Sequence, residues 1–163
     1  MSKRAASLFA LILFFSLLAC NEETVLSAEA YGPVVFGSQL DDVERMLNVK
    51  VTREHEDPSC YYVKLPKYPG VKFMIEEGIV TRAEVNAEVP NTLSIKIGTP
   101  LDQIKKAHPN IIVTPHKYVS NGFYLVSKTV NGKNAIVMEV VDDKVTHIRA
   151  GIEPSVEYVE GCL

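Results

Sequence analysis

Pro115-His116-Lys117-Tyr118 sets a proton-transfer ring beside a cation and an aromatic, directly behind a residue that stiffens the backbone. That composition suits a recognition loop, because tyrosine supplies a large rigid contact with a polar tip. An imidazole at such a place also has the chemistry of a general base. The plain alternative is a surface loop whose Tyr118 rests on the core. Tyr61 and Tyr62 on one side, Phe123 and Tyr124 on the other, hold equivalent places in two strand-like runs. Alternate residues of a strand face opposite ways, so one tyrosine of each pair is offered to a shared outer surface, unless both are taken into the core. His55-Glu56-Asp57 joins a ring nitrogen to two carboxylates, yet adjacent residues in a loop do not converge on one ion, so a solvated turn is expected there and no metal. Arg149 either pairs with Glu157 or Glu160 near the C-terminus or contacts a ligand. The chain has no G-x-S-x-G, H-E-x-x-H, C-x-x-C, phosphate-binding loop or G-x-G-x-x-G. It is therefore read as a non-enzyme without a cofactor.

The cysteines give the address. Lys3 and Arg4 precede an apolar stretch that ends in Leu17-Leu18-Ala19-Cys20, the pattern of a bacterial lipoprotein signal. Ala5 to Ala19 is fifteen residues, short of the roughly 17–25 that cross a bilayer as a helix. Residues 1–19 are thus expected to be removed and Cys20 to carry lipid. Asn21 follows, where an aspartate would resemble inner-membrane retention; if the source is Gram-negative, this resembles an outer-membrane lipoprotein facing the periplasm. Otherwise the expected place is the extracytoplasmic membrane surface. Cys60 and Cys162 then remain as an even pair in an oxidising compartment, most simply one disulfide. Free thiols, a metal pair or an intermolecular bridge are the other uses. Without its first 19 residues the chain keeps 144 residues and an excess of five acidic groups. That length suits one domain or two small subdomains sharing a core, and the charge gives no support for nucleic acid.

These residues must be positioned by the elements around them. Residues 20–31 are polar and acidic, with Glu22, Glu23 and Glu29, and read as a flexible tether. After the tether the sequence repeats at an offset of 61, aligning Gly37 with Gly98, Leu40 with Leu101, Asp41 with Asp102 and Val43 with Ile104. Val80-Thr81-Arg82 matches Val145-Thr146-His147 at an offset of 65. Each copy, 32–91 and 92–153, predicts a short strand at 34–36 or 94–97 and then a helix. Ser38 and Thr99 are the expected N-caps, and Pro100 is expected in the first helical position. Leu40, Val43, Met46 and Leu47 mark one helical face; Leu101, Ile104 and Ala107 mark the other. Strands are expected over 49–53, 61–65, 71–76 and 80–89, then 111–114, 123–130, 135–141 and 145–152. Glu77-Gly78, Asn131-Gly132 and Asp142-Asp143 are expected turns. The expected class is α+β: two tandem helix-plus-antiparallel-meander repeats with helices on one sheet face. Residues 154–163 form a tail tied back by the disulfide.

The Gly-x-x-Leu-x-x-Val/Ile opening before a short helix and meander resembles the repeat of β-lactamase inhibitory proteins. It is also similar to the small BamE (SmpA/OmlA) outer-membrane lipoproteins, over roughly residues 34–152. Both relatives bind proteins and are not enzymes, so the resemblance implies a protein partner in the cell envelope. The inhibitors place cysteines within repeats and BamE has a single unit, which this chain does not follow. Val156-Glu157-Tyr158-Val159-Glu160-Gly161-Cys162 also resembles the ends of bacterial lipoproteins of unassigned function. The expected activity is a lipid-anchored protein-binding module, with Tyr61, Tyr62, His116, Lys117, Tyr118 and Tyr124 as candidate contacts. The alternative is a module that binds or hydrolyses cell-wall or glycan material with His116 as base.

Overall fold

A run such as Val80-Thr81-Arg82-Ala83-Glu84-Val85 offers one set of side chains to a core and the other set to the opposite side of a sheet. In the computed structural model, which describes residues 24–51, 57, 59–85 and 88–162, such runs pair into one large sheet. Strands β1 (Ala30–Tyr31) and β2 (Val34–Val35) form a small hairpin, followed by helix α1 (Leu40–Leu47). Strands β3 (Cys60–Val63), β4 (Val71–Glu76) and β5 (Ile79–Val85) come next. Helix α2 (Leu101–Ala107) then leads into β6 (Ile112–Pro115), β7 (Phe123–Lys128), β8 (Asn134–Val141) and β9 (Lys144–Ile152). The seven strands β3 to β9 are antiparallel in the order β3-β4-β5-β9-β8-β7-β6. Phe73, Ala83, Leu125, Met138, Ile148 and Ala150 point from one face into the main core. Tyr124, Val126, Ala135 and Val137 point from the other face, onto Val156 of the tail.

The expected α+β architecture of two repeats is corrected by this sheet. Among the described residues strand makes up 40% and helix 14%, so the fold is mostly β. One cause is the pairing of β5 with β9, Arg82 opposite Gly151 and Val85 opposite Ile148, which joins both halves of the chain in one ladder. A residue at 151 must also be small, since a Cβ there would stand 2.2 Å from the Thr81 carbonyl oxygen. The other cause is helix length. With eight and seven residues, the helices bury only Leu40 and Val43, and Leu101 and Ile104. Met46 is 53% exposed and Ala107 is exposed, so the expected apolar faces are too short to make a helical layer.

The sequence match at an offset of 61 nevertheless has a local counterpart. The Gly37 amide donates to the Val80 carbonyl at 2.8 Å and that of Leu40 to Gly78 at 2.8 Å. At the second place Gly98 donates to Val145 at 2.7 Å and Leu101 to Asp143 at 2.9 Å. A hairpin turn thus accepts a first helical amide, a job usually done by a capping side chain. Ser38 and Thr99 accordingly lie outside the helices. The N-cap residues are Gln39 and Pro100, neither with a side-chain cap bond.

Two expected strands are absent where the chain is described. Residues 49–51 are irregular, and 94–97 curl because the Asn91 side chain accepts from the amides of Leu93 and Ile95, both at 3.2 Å. The expected tether also ends early. Leu26 is fully buried, its amide donates to the Pro90 carbonyl at 2.8 Å, and its carbonyl accepts from Thr92 at 3.0 Å. Cys20 and the signal segment lie outside the described residues.

Candidate functional site

Polar side chains gather on the sheet face opposite the main core, beneath the C-terminal tail. Cys60 at the start of β3 is bonded to Cys162, with their Cα atoms 5.4 Å apart across 102 residues of sequence. Closing a loop of that size is worth on the order of 4–5 kcal/mol in the chain-entropy account. The tail it anchors is further held by two arginines. Arg82 of β5 is 2% exposed; its Nη1 donates to the carbonyls of Ser155 at 2.9 Å and Tyr158 at 2.8 Å. Its Nη2 donates to the Tyr62 hydroxyl at 2.6 Å and pairs with Glu84. Tyr62 in turn donates to Glu84 Oε1 at 2.7 Å, and burial together with that acidic partner pushes its hydroxyl up to about 12. Arg149 of β9, opposite Glu84 in register, donates from Nε to the Val156 carbonyl at 2.7 Å. Three tail carbonyls thus find donors in buried cations. Such charge-assisted bonds are about twice as strong as neutral ones.

Gly161 lets the tail lie this close. Its φ is +72°, and a Cβ there would stand 2.2 Å from the Tyr62 hydroxyl and 2.8 Å from Arg82 Nη2. Lys128 binds Glu157 at 2.8 Å and Glu153 at 3.0 Å, while Lys117 binds Glu160 at 3.0 Å. The Lys128 hydrogen bond holds the Glu157 carboxyl below its usual range, and Lys117 does the same for Glu160.

His116 sits at the margin of this face with 5% of its side chain exposed. Its Nδ1 accepts from the amides of Tyr118 at 3.0 Å and Val119 at 3.1 Å, so that nitrogen carries no proton in this arrangement. Nε2 then holds the proton and faces Glu139 Oε1 at 3.0 Å and the Tyr124 hydroxyl at 3.1 Å. The ring stacks on Tyr124 with centroids 4.5 Å apart. Burial and the Glu139 charge raise the Tyr124 hydroxyl above its ordinary value. Both ring nitrogens are thus committed to the fold. Beyond them Tyr118 stands 61% exposed, with the Lys117 ammonium 5.1 Å from its ring centroid.

Between sheet and tail lies a cleft of about 260 Å³, lined by Tyr62, Lys72, Glu84, Glu139, His147 and Arg149 among others. Lys72, Glu84 and Arg149 stand side by side across β4, β5 and β9, and Glu139 is opposite His147 on β8 and β9. Among the described residues no group of three or more His, Cys, Asp or Glu is placed to hold a metal ion.

The structure brings Tyr62, Tyr124, His116, Lys117 and Arg149 to this face and its rim. Tyr61 is not part of it: at 5% exposure it lies in the main core. His55 and Glu56 fall outside the described residues, and Asp57 is exposed, accepting from the Ser59 hydroxyl at 2.6 Å. Arg149 pairs with neither Glu157 nor Glu160; Lys128 and Lys117 take those two. Arg82, Glu84, Glu139, Lys72 and His147 were not singled out by sequence reasoning. Their signal was the alternation in 80–85 and 145–150, which sets Arg82, Glu84, His147 and Arg149 opposite the core-facing residues. A sheet-based, disulfide-closed domain with a buried ionic face is the class these features define. Comparison of the chain with protein-family models, characterised proteins and solved structures finds no significant match.

Proposed function

We propose that this chain is a non-enzymatic, lipid-anchored module on the extracytoplasmic side of a membrane, the outer membrane if the source is Gram-negative, and that it binds an envelope protein. The observation that carries the reading is the commitment of both His116 nitrogens to internal bonds. A ring whose free lone pair is already shared by two backbone amides has none left to accept a substrate proton. The same bonds fix the 116–119 turn and aim Tyr118 outward on a rigid support, so little entropy is lost when a partner covers it. Beside it β6 ends the sheet, with Ile112 48% and Val113 36% exposed. Pro115 lacks an amide donor and blunts backbone pairing at this edge, so contact would come from side chains rather than an added strand. Tyr118 is thus an exposed aromatic anchor at the end of an edge strand that also exposes one aliphatic residue on each face, and aromatic anchors dominate protein-contact hot spots.

The His116-dependent hydrolytic reading makes the opposite prediction. In cells carrying the full chain, crosslinking in the native envelope should join it to a discrete protein, and Tyr118→Ala should reduce that recovery several-fold while leaving the amount of folded protein unchanged. Turnover of an envelope substrate that disappears in a folded His116→Ala variant would overturn the proposal.

A further inference from the structure

The cleft under the tail holds an imbalance that the fold does not resolve. Its carboxylates have partners: Glu84 is bound by Arg82 and Tyr62, Glu139 by His116, and Glu160 by Lys117. Its cations are less fully used. Arg149 spends only Nε on the protein; Nη1 and Nη2 make no hydrogen bond among the described residues, and the nearest acid oxygen, Glu139 Oε2, is 3.9 Å from Nη1. Only 9% of that side chain is exposed. Its two terminal nitrogens are not among the buried unpaired atoms of the described residues, so they open onto the cleft with hydrogen-bond capacity to spare. Arg149 thus has one long ion pair, with Glu139, whereas Lys72 and His147, also at the cleft, have none among the described residues.

From this we propose that the cleft is a binding site for a small carboxylate, held by the planar fork of Arg149 with Lys72 beside it. The fork is already oriented: the Val156 carbonyl fixes Nε, and the Tyr124 ring lies 5.5 Å from Cζ, supporting one face of the plane. Planar two-point recognition of this kind matches a carboxylate. Burial and the charge of Arg82 both disfavour protonated Arg149, and a bound anion offsets both. The second oxygens of Glu84 and Glu139 flank the position and repel a doubly charged group such as phosphate. They accept instead from a hydroxyl, ammonium or amide next to the carboxylate. At about 260 Å³ the cleft is below the roughly 300–1,000 Å³ of sites for drug-sized ligands. The ligand is therefore a small hydroxy or amino acid, or the C-terminal end of a peptide. This site is separate from the Tyr118 surface, so either proposal can fail alone.

Amide-resolved NMR titration of the disulfide-bonded protein with lactate, glycine, triglycine and inorganic phosphate tests it. Saturable shifts are expected at residues 147–150 and 159–161 with at least one of the three carboxylates. Lactate or glycine acting alone identifies a free small acid, and triglycine acting best identifies a chain end. Arg149→Lys keeps the charge but loses the fork, and should weaken binding about tenfold, as loss of a charge-assisted hydrogen bond does. Lys72→Glu, at an exposed position on the margin, should weaken it by a similar factor in the folded protein. Absence of saturable shifts with every carboxylate, tighter binding of phosphate, or binding indifferent to Lys72→Glu in the folded protein overturns the proposal.

Discussion

Single atoms decide how the tail lies. The Gly161 position tolerates no Cβ because Tyr62 and Arg82 occupy the space, and its φ of +72° suits glycine in any case. Gly161→Ala is expected to destabilise the protein by about 1–3 kcal/mol, the cost of a strained residue plus displaced contacts. Equilibrium denaturation in urea, with the disulfide intact, measures this; an unchanged midpoint would show that the tail does not rest on Tyr62. Residue chemistry was partly legible beforehand. Tyr62 and Tyr124 come to one face as strand alternation requires, and Cys60 meets Cys162. The roles of Arg82 and Glu139 were not legible, because a charged residue on a strand ordinarily faces water. Here a tail covers them, and the sequence of a strand does not reveal what crosses above it.

At the scale of elements, the tail is a strap fastened by a covalent bond at one end and by ion pairs along its length. Glu157 and Glu160 have carboxyls depressed by Lys128 and Lys117. A depressed folded-state value gives stabilisation that is complete above the ordinary value near 4.5 and fades as pH falls below it. Lys128, raised by the same partners, adds a contribution present below its ordinary 10.5 and lost as pH climbs past it. These groups are exposed enough for solvent to screen them, so the strap and not the sheet should respond. In a Cys60→Ser, Cys162→Ser variant, hydrogen exchange at 155–161 is expected to speed up as pH drops below about 4.5 once intrinsic rates are divided out, while β8 and β9 keep their protection. Equal loss of protection in tail and sheet would show that the strap does not open separately. The strands expected over 71–76, 123–130 and 135–141 are found at Val71–Glu76, Phe123–Lys128 and Asn134–Val141, legible from their apolar runs and the turn residues between them. The helix caps were not, since their acceptors come from hairpins some forty residues away.

The whole molecule is one sheet with two different faces, a hydrophobic core on one side and a strapped ionic layer on the other. The doubled sequence pattern survives as matched hydrogen bonds at Gly37 and Gly98, but pairing of β5 with β9 absorbs both halves into a single mostly-β body. Local patterns carry information about local bonds. Which edges join depends on surfaces distant in sequence, so the architecture could not be read from repeats alone. The fixed His116 turn leaves Tyr118 exposed just beyond the end of the edge strand β6. What that end touches decides whether this surface binds a protein. A photo-reactive amino acid placed at position 118 of the full chain in intact cells, with position 133 on a distant hairpin as the control, measures it. One discrete protein adduct at 118 and none at 133 is the expected result. Absence of any protein adduct at 118, from a variant that is folded and present at the wild-type level, would contradict a protein-binding role for this surface.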